Sequence, residues 1–309
     1  MSDRNSDGLR DLALWRTFLA AHRSGSVSAA ARLLGIAQSS VTTQLQALER
    51  SEGEPLFIRH ARGIRPTPRA DDLAARVAGP LDALALAVGA PSTVEAAPVR
   101  LGGAAEFLER VAVPALAPML AAGRRIAVTA GVADDLLEQL RSGSLDLVIS
   151  AVRPRGRALP TAALVDEEFA LVAAPSLGVV PSPDLSPGMI EEHPLLAYAH
   201  DVPILRRYWR HVFGLRLERE PALTAPDLRA LAAAAVAGAG ITVLPTYLIA
   251  DELADGRLSV LRPTDDSPIN TLSLVRRPGP LTAAIAEIDR ALRDAVDGIG
   301  TRGGAAVSG

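Results

Sequence analysis

Residues 25–49 read GSVSAAARLLGIAQSSVTTQLQALE, and this stretch decides the fold of the amino-terminal part of the chain. Ser26 is placed to cap a short helix over 27–34, and Gly35 can adopt the left-handed conformation that ends it. A second helix is predicted over about 38–50. Two short helices joined by a tight glycine turn are typical of a helix-turn-helix.

The second helix separates into an apolar and a polar face at about 100° per residue. The apolar face is expected to pack on a core shared with the preceding helix, formed by Val41, Leu45 and Leu48 with Ala29, Ala30 and Leu33. The opposite face carries small hydroxyl and amide side chains, those of Ser39, Thr42, Thr43 and Gln46. Glutamine can pair with adenine, and Ser and Thr can contact phosphates or base edges. The pattern favours a DNA-recognition helix, with an ordinary helical hairpin as the alternative.

An arginine-rich segment follows at residues 55–67, and it reads as a short hairpin of two apolar-anchored arms around 61–63. It carries Arg59, Arg62 and Arg65, whose guanidinium groups suit bidentate phosphate contacts or insertion into a narrow minor groove. A solvated loop is the usual interpretation of an arginine cluster. Its position beside a recognition helix instead predicts the wing of a winged helix-turn-helix.

A longer helix is predicted after the wing, because Thr67 is a good N-cap and Pro68 suits the first helical position. Its narrow apolar stripe consists of Leu73, Val77, Leu81, Leu84 and Val88. Such a stripe suits a coiled-coil-like seam with a second copy of the chain, and packing on the chain's own core is the alternative. Pro80 is expected to kink the helix or shift its seam.

Composition excludes several classes of protein. The 309 residues suffice for two or three domains, and 49% hydrophobic with 22% charged residues is ordinary globular composition. The chain has no cysteine, which excludes disulfides and thiolate metal sites, and no lysine, which excludes Schiff-base chemistry. The five histidines show no metal-ligand spacing, and no Gly-x-Ser-x-Gly motif occurs. We therefore expect no enzyme, no metal and no cofactor.

The net charge of −3 hides an uneven distribution. Residues 1–70 carry ten arginines and six acidic residues, a balance of +4, whereas the rest of the chain carries −7. A basic head on an acidic body is expected when one module meets a polyanion. The first residues lack the apolar core of a signal peptide, and the longest apolar run, 231–244, is too short for a membrane span. We predict a cytoplasmic protein with no membrane partner.

After residue 98, short β-like runs alternate with helical runs. The β-like runs cover 99–102, 126–130, 145–150, 195–199 and 241–244, and the helical runs cover 105–120, 134–140, 204–213 and 227–237. This alternation is typical of βαβ units with a mainly parallel sheet.

A long motif agrees in register across the head: Leu14, Phe18, Gly25-Ser26-Val27-Ser28-Ala29-Ala30, Leu33, Gln38-Ser39-Ser40-Val41-Thr42, Gln44-Leu45, Leu48-Glu49, Leu56-Phe57 and Arg59. On these positions, residues 9–70 resemble the LysR-type transcriptional regulator family. The resemblance implies DNA contacts from Gln38, Ser39, Thr42, Thr43 and Gln44 on the helix and from Arg59, Arg62 and Arg65 on the wing. Gln46 joins this set through its place on the polar face.

Three departures from the family pattern concern local geometry. Ala37 stands where the family usually has Ser, so the recognition helix lacks its usual hydroxyl cap. Thr43 stands where a basic residue is common, which weakens phosphate or base contact there. Residues 66–70 read PTPRA in place of the family's Leu-Thr-x-x-Gly, which affects how the chain enters the linker helix.

The resemblance extends more loosely through the body, in residues 99–102, 143–149 and 237–245. It implies two Rossmann-like lobes similar to periplasmic binding proteins, with an effector bound between them. Loops that follow strands would form that site, namely Gly103, Ala104, Ala105, Glu106, Val132, Ala151, Tyr198, His200 and Asp227. Acidic Glu106, Asp201 and Asp227, with no hydroxyl at 104 or 105, suggest a cationic or amine-bearing effector. The alternative is that these acids cap helices or face water.

The predicted fold class is therefore α+β and multidomain. A winged helix-turn-helix at 8–66 is followed by a linker and dimerisation helix at 67–90 and a hinge at 91–97. A two-lobed α/β effector domain has lobe I at 98–172 and 270–298 and lobe II at 173–269. A flexible tail is expected at 299–309.

The predicted function is that of a sequence-specific DNA-binding regulator of the LysR type that responds to a small-molecule effector. Its expected partners are double-stranded DNA with a partly palindromic operator, the effector, and further copies of itself in a homodimer or homotetramer. RNA polymerase is a further partner if the protein is an activator. The alternative function is that of a small-molecule binder like a periplasmic binding protein, without DNA activity.

Overall fold

The computed structural model describes residues 12–60, 63–87, 98–155, 159–279 and 281–306. The chain forms two compact units. The first comprises residues up to Gly103, 118–162 and 274–288, and the second comprises 104–117, 163–273 and the residues from 289 onward. None of the helices in these ranges combines the length and apolarity that a bilayer crossing requires.

Three helices form the amino-terminal head: α1 (Leu12–Ser24), α2 (Val27–Leu34) and α3 (Gln38–Glu52). Ser26 caps α2 by accepting a hydrogen bond from the Ala29 amide at 3.3 Å, and Gly35 ends it with φ of 67°. Both local predictions are confirmed, and α3 is two residues longer than expected.

The core of the head is built around Phe18, with buried Val41, Leu45 and Leu48 on the apolar face of α3. From α2, Ala30 is buried and Leu33 packs partly against the core, as predicted. Ala29 does not belong to this core, which contains Ala31 instead. The helix is rotated so that positions 30 and 31, rather than 29 and 30, face α1 and α3.

The wing is an antiparallel hairpin of β1 (Phe57–His60) and β2 (Gly63–Pro66). Its predicted tip residues 61–62, including Arg62, lie outside the described residues. The Ile64 amide donates to the Gly25 carbonyl at 3.0 Å, which ties the wing to the turn between α1 and α2. A Cβ atom on Gly63 would lie 2.5 Å from that carbonyl oxygen, so this close approach requires glycine.

The linker helix α4 (Pro68–Ala87) begins as predicted, with the Ala70 amide donating to Thr67 Oγ1 at 3.3 Å. It continues through Pro80. Leu73 is buried in the head core, and Val77 and Leu81 pack partly against it. Leu73 thus follows the alternative of packing on the chain's own core, and the seam with a second copy stays a prediction for the rest of the stripe. Leu84 is 42% exposed, and Val88 lies outside the described residues.

The body contains the remaining elements. In chain order they are β3 (Val99–Gly103), α5 (Ala105–Phe107), a π-helical turn (Leu108–Ala112), α6 (Val113–Ala121), β4 (Ile126–Ala130), α7 (Ala133–Arg141), β5 (Leu147–Ser150), β6 (Thr161–Ala173), β7 (Leu196–Tyr198), α8 (Pro203–Val212), β8 (Leu223–Ala225), α9 (Leu228–Val236), β9 (Thr242–Pro245), α10 (Ala250–Ala254), β10 (Ser259–Val260), β11 (Ile269–Arg276) and α11 (Ala283–Ala306). Single 3-10 turns occur at Pro175–Leu177, Pro187–Ile190 and Thr246–Ile249.

The expected parallel pairing is confirmed in part of the body. In the first unit β3 lies between β4 and β5 and is parallel to both, and in the second unit β7 is parallel to β8. The pairs of β6 with β9 and with β10 are antiparallel, so the fold is mixed α/β with a parallel component in each unit. The long strands β6 and β11 were not predicted, and each of them has residues in both units.

The boundaries of the two lobes at 172/173 and 269/270 stay predictions. The compact units of the structure change at 162/163 and 273/274, inside β6 and β11. Residues 299–306, expected in a flexible tail, continue helix α11, which ends at Ala306.

The second unit offers a test of backbone packing at Gly240. Its neighbour Ile241 donates to the Pro194 carbonyl at 2.8 Å, and a Cβ atom on Gly240 would lie well inside van der Waals contact of the same oxygen. We expect Gly240→Ala to lower the free energy of unfolding by about 1–3 kcal/mol through overpacking. Urea unfolding measures this, with Gly188→Ala as the matched control because nothing lies within 4 Å of its new Cβ. Equal effects of the two variants would contradict the packing.

The amino terminus of α3 offers a gain of stability. Ala37 is its N-cap with φ of −66° and ψ of 146°, and it makes no side-chain cap hydrogen bond. Ala37→Ser adds a hydroxyl that can accept from an unpaired helix amide, so we expect a rise of about 1 kcal/mol in the free energy of unfolding. Ala37→Gly, which offers no acceptor, is the control. Denaturant titration of wild type, Ala37→Ser and Ala37→Gly measures the free energy of unfolding. A serine variant no more stable than wild type would contradict the assignment of residue 37 as the N-cap of α3.

Candidate functional site

The polar face of α3 is presented to solvent. The side chains of Gln38, Ser39, Thr43 and Gln46 are exposed, and that of Thr42 is half-buried. All five lie within three turns of one helix, on the side away from buried Val41, Leu45 and Leu48. This is a continuous hydrogen-bonding surface of the size that enters a major groove.

The two threonine hydroxyls on this face use their protons within the helix. Thr42 Oγ1 donates to the Gln38 carbonyl at 3.1 Å, and Thr43 Oγ1 donates to the Ser39 carbonyl at 3.0 Å. Each hydroxyl therefore presents its lone pairs and its neighbouring methyl group to the outside. In this arrangement the threonines can accept hydrogen bonds or contact a thymine methyl group.

Two of the three glutamines of α3 are oriented by hydroxyl groups of neighbouring helices. Ser28 Oγ donates to Gln38 Oε1 at 3.1 Å, and Thr17 Oγ1 donates to Gln44 Oε1 at 2.5 Å. Each carbonyl oxygen is thereby held and the amide nitrogen remains as a donor. Gln44 is only half-buried, but its link to buried Thr17 gives it a structural role beside the predicted DNA contact.

The wing carries its arginines on two faces. The register pairs Arg59 with Ile64 and Ile58 with Arg65, so the two arginines point to opposite sides of the hairpin. Both are exposed, and neither forms an ion pair within the described part of the chain. Arg23 and Arg69, by contrast, are paired with Asp82 and Glu52. The described part of the wing therefore presents two exposed guanidinium groups that no described carboxylate pairs with.

In the first unit, three predicted effector residues lie at the carboxyl ends of the parallel strands. Gly103 ends β3, Val132 precedes α7 just after β4, and Ala151 follows β5. Because β3 lies between the other two strands, their carboxyl ends bring these residues together. In α/β proteins, ligands bind beyond the carboxyl ends of the strands.

In the second unit, Tyr198 ends β7 and Asp227 follows its parallel neighbour β8, with exposed His200 in the loop after β7. Ala104, Ala105 and Glu106 form the start of α5 and are half-buried. Burial raises the pKa of Glu106, and the charge of Asp227 raises it further. Burial, then Glu106 and neighbouring acids, raise the pKa of Tyr198. The carboxylates of Glu106, Asp201 and Asp227 are thus close enough to act on the Tyr198 hydroxyl.

Asp227 already has partners in this unit. It caps α9 by accepting from the Arg229 amide at 2.9 Å, and it pairs with the Arg229 guanidinium at 2.6 Å. Arg229 also contacts Glu109 at 2.7 Å. The alternative that this acid caps a helix is therefore realised at Asp227.

Two features near these residues were not predicted. Ala199 and Val202 have φ of 56° and 53°, a strained conformation for residues with a Cβ and most of all for a β-branched one. Glu167 of β6 is 7% exposed and accepts from Asn270 Nδ2 at 3.2 Å. The run Asp166-Glu167-Glu168 reads as surface. The available signal was the period of two that aligns position 167 with apolar 169 and 171.

Glu167 gives the second unit a pH-dependent stability. Burial raises the pKa of Glu167 to about 7 from 4.5, against smaller lowering effects of Tyr247 and Asn270. The folded state therefore binds more protons between these values, and the free energy of unfolding falls as pH rises from 4.5 to about 7. We expect Glu167→Gln to remove up to about 3 kcal/mol of this dependence. Urea unfolding at several pH values measures it. Exposed Glu168→Gln is the control and should keep the wild-type slope.

The described residues contain no cluster of His, Asp or Glu side chains arranged to hold a metal ion. Residues 12–71 match the family described as bacterial regulatory helix-turn-helix protein, lysR family. Residues 92–297 match the family described as LysR substrate binding domain.

Individual proteins agree with these matches. The HTH-type transcriptional regulator AbaB of Streptomyces antibioticus is 39% identical over 290 residues, covering 91% of this chain and 96% of AbaB. MetR of Salmonella typhimurium is 27% identical, covering 88% and 86%. Among solved structures, ArgP from Mycobacterium tuberculosis has a TM-score of 0.67 at 23% identity and covers 91% and 96%. A full-length OxyR from Pseudomonas aeruginosa has a TM-score of 0.69 at 20% identity and covers 91% and 94%.

The two structures show the fold, and the match to AbaB with the two family matches shows the relationship. This chain, with its helix-turn-helix and its effector-binding domain, belongs to the LysR family of transcriptional regulators.

Proposed function

We propose that this regulator reads DNA sequence with α3 in a major groove and holds the DNA backbone with its wing. The observation that carries the proposal is the exposed row of Gln38, Ser39, Thr43 and Gln46 beside the guanidinium groups of Arg59 and Arg65, which form no ion pair with any described residue. LysR regulators bind DNA, and this surface is the part of the head with suitable chemistry.

The two groups of residues have different tasks. Base edges are proposed to be read by Gln38, Ser39, Thr42, Thr43, Gln44 and Gln46, because their donors and acceptors are directional. Phosphates are proposed to be bound by Arg59 and Arg65, together with Arg62 outside the described residues, because their contribution is mainly electrostatic. No lysine can share this task, since the chain has none.

LysR regulators form oligomers, and we propose that two copies of this chain occupy a partly palindromic site as a homodimer or as part of a homotetramer. Leu84 near the end of α4 is an exposed member of the apolar stripe and is available for such contacts. With chromosomal DNA as its ligand, the protein is proposed to act in the cytoplasm. RNA polymerase is a proposed partner only if the protein activates.

We propose that the effector-binding domain takes a small molecule. We propose two sets of effector contacts, each at strand ends within its own unit: Gly103, Val132 and Ala151 in the first, and Glu106, Tyr198 and His200 in the second. Ala104, Ala105 and Asp227 complete the proposed set. The carboxylates of Glu106, Asp201 and Asp227, whose charges act on the Tyr198 hydroxyl, support a cationic effector, because a positive charge would be attracted to them. We propose binding without catalysis. A small-molecule binder without DNA activity is disfavoured by the helix-turn-helix.

Salt dependence separates the proposed phosphate contacts from the base contacts. We expect Arg65→Gln to weaken binding to all duplexes and to reduce the slope of log affinity against log salt by about 1. Gln38→Ala should instead reduce the preference for the selected sequence over random DNA, at a cost of about 1–3 kcal/mol on the selected sequence. Fluorescence anisotropy with duplexes selected from a random pool measures both.

Exposed Arg210→Gln on α8 of the second unit is the matched control, since it removes one positive charge far from the head in sequence. It should leave affinity and salt slope unchanged. Equal losses on every duplex from the Arg65 and Gln38 variants would contradict the division of tasks. Wild-type protein that selects no sequence would contradict the proposed function itself.

A further inference from the structure

Five charged side chains form one connected chain within the first unit. Arg23 of α1 forms a two-pronged contact with Asp82 of α4, at 3.1 Å from Nη1 to Oδ1 and 2.7 Å from Nη2 to Oδ2. Arg277 Nη2 donates to the same Asp82 Oδ2 at 2.5 Å and lies 3.4 Å from Asp146 Oδ1. Arg100 then contacts both oxygens of Asp146, at 2.8 Å and 3.0 Å.

This chain of contacts joins three parts of the molecule that are distant in sequence. Arg23 belongs to the head, Asp82 to the linker helix, and Arg277, Asp146 and Arg100 to the α/β part of the first unit. Of the two carboxylates, Asp82 is the one that contacts the head, through Arg23, as well as the α/β part, through Arg277. Its side chain is only 19% exposed, and those of Arg23 and Arg277 are 20% and 16% exposed.

Small residues bring the linker helix close enough for these contacts. A Cβ atom on Gly143 would lie 3.0 Å from Arg277 Nη1 and 3.1 Å from the Ala78 Cβ, and one on Gly79 would lie 3.3 Å from the Pro278 carbonyl oxygen. Larger side chains here would push α4 away from the residues around 143 and 277. Gly143 and Asp146 both come from the segment 143–149 that stood out in the sequence.

Among the five charged side chains, Asp82 is the one whose removal would leave two buried positive charges without a shared partner. Three guanidinium groups share two carboxylates, and one nitrogen on each arginine is buried without a hydrogen-bond partner among the described residues: Arg23 Nε, Arg100 Nη1 and Arg277 Nη1. Burial and then Arg23 lower the pKa of Arg277 to about 10, so it stays charged at neutral pH. Removing Asp82 would leave Arg23 and Arg277 facing each other without a shared partner, which buried like charges tolerate poorly.

We propose that Asp82 is the positioning residue that fixes the DNA-binding head in one orientation relative to the α/β part of the first unit. Its contacts with Arg23 and Arg277 act as a joint that must break before the head can turn. For its consequence at DNA, this inference rests on the proposed function. A fixed head would hold its recognition helix at a defined spacing from that of a second copy.

The absence of cysteine allows a direct measurement of this orientation. Exposed Ser51 and Asp135, in the head and on α7, can be changed to Cys and spin-labelled, and the protein mixed with excess unlabelled chain so that distances within one chain dominate. Double electron–electron resonance should give one narrow distance distribution. Asp82→Asn should broaden it by about twofold or more. Glu287→Gln is the matched control, since it breaks the Arg124–Glu287 pair at 3.0 Å in the same unit.

Arg277→Gln is the second variant, because Asp82→Asn can prevent folding by leaving two unshielded charges. It cuts only the α/β side of the joint and leaves the Arg23–Asp82 pair in place. We expect Arg277→Gln to broaden the distribution as well, with wild-type helix content by circular dichroism. A folded Arg277→Gln protein with the wild-type distance distribution would overturn the inference.

A DNA measurement separates the inference from the proposed function. In duplexes selected by the wild-type chain, inserting about five base pairs between half-sites rotates them by half a turn. We expect wild type to lose about tenfold or more in affinity and Arg277→Gln less than about threefold. If wild type binds no duplex, the proposed function is wrong. The spin-label distances still test whether the contacts of Asp82 fix the orientation of the head. If wild type and Arg277→Gln bind with the same spacing preference, the inference that Asp82 fixes the head is overturned.

Discussion

Helix α1 is held against two other helices by polar contacts at its buried face, and the placement of the recognition helix depends on them. Thr17 donates to Gln44 of α3, and His22 Nε2 lies 2.8 Å from Asp71 of α4. Burial lowers the pKa of His22, so the ring is neutral at neutral pH and can donate to Asp71 without burying a charge. Around Phe18, apolar packing stabilises the head, and these directional contacts select one arrangement of α1, α3 and α4.

Arginine performs two opposite tasks in this chain. In the first unit its planar guanidinium groups grip carboxylates with two nitrogens, as Arg23 does on Asp82 and Arg100 on Asp146. On the wing, Arg59 and Arg65 have no such partners among the described residues, and their charged groups are exposed to solvent. The +4 balance of residues 1–70 is thus not spread evenly, because Arg23 and Arg69 are neutralised locally.

The sequence predicted the elements whose causes are local and missed those whose causes are distant. The Ser26 cap, the Gly35 turn and the apolar period of α3 act within a few residues, so the helix-turn-helix and its polar face could be predicted. The strands β6 and β11 could not, since their pairing depends on partners far along the chain. Burial of Glu167 arises from tertiary packing, which overrides the local pattern of three acidic residues.

The difference between local and distant causes also explains why the role of Asp82 could not be predicted from the sequence. On a solvated helix face, an aspartate between Leu81 and Ala83 would be an ordinary surface charge worth little to stability. Here it is covered from one side by α1 and from the other by the segment around Arg277, and both bring a positive charge. A surface pair of this kind could exchange its partners freely in water. At Asp82 such exchange is restricted, because the side chains of Asp82, Arg23 and Arg277 are only 16–20% exposed, and a small movement that separates an arginine from the carboxylate without exposing it leaves an unpaired charge. The contacts of Asp82 therefore constrain the head relative to the α/β part of the first unit.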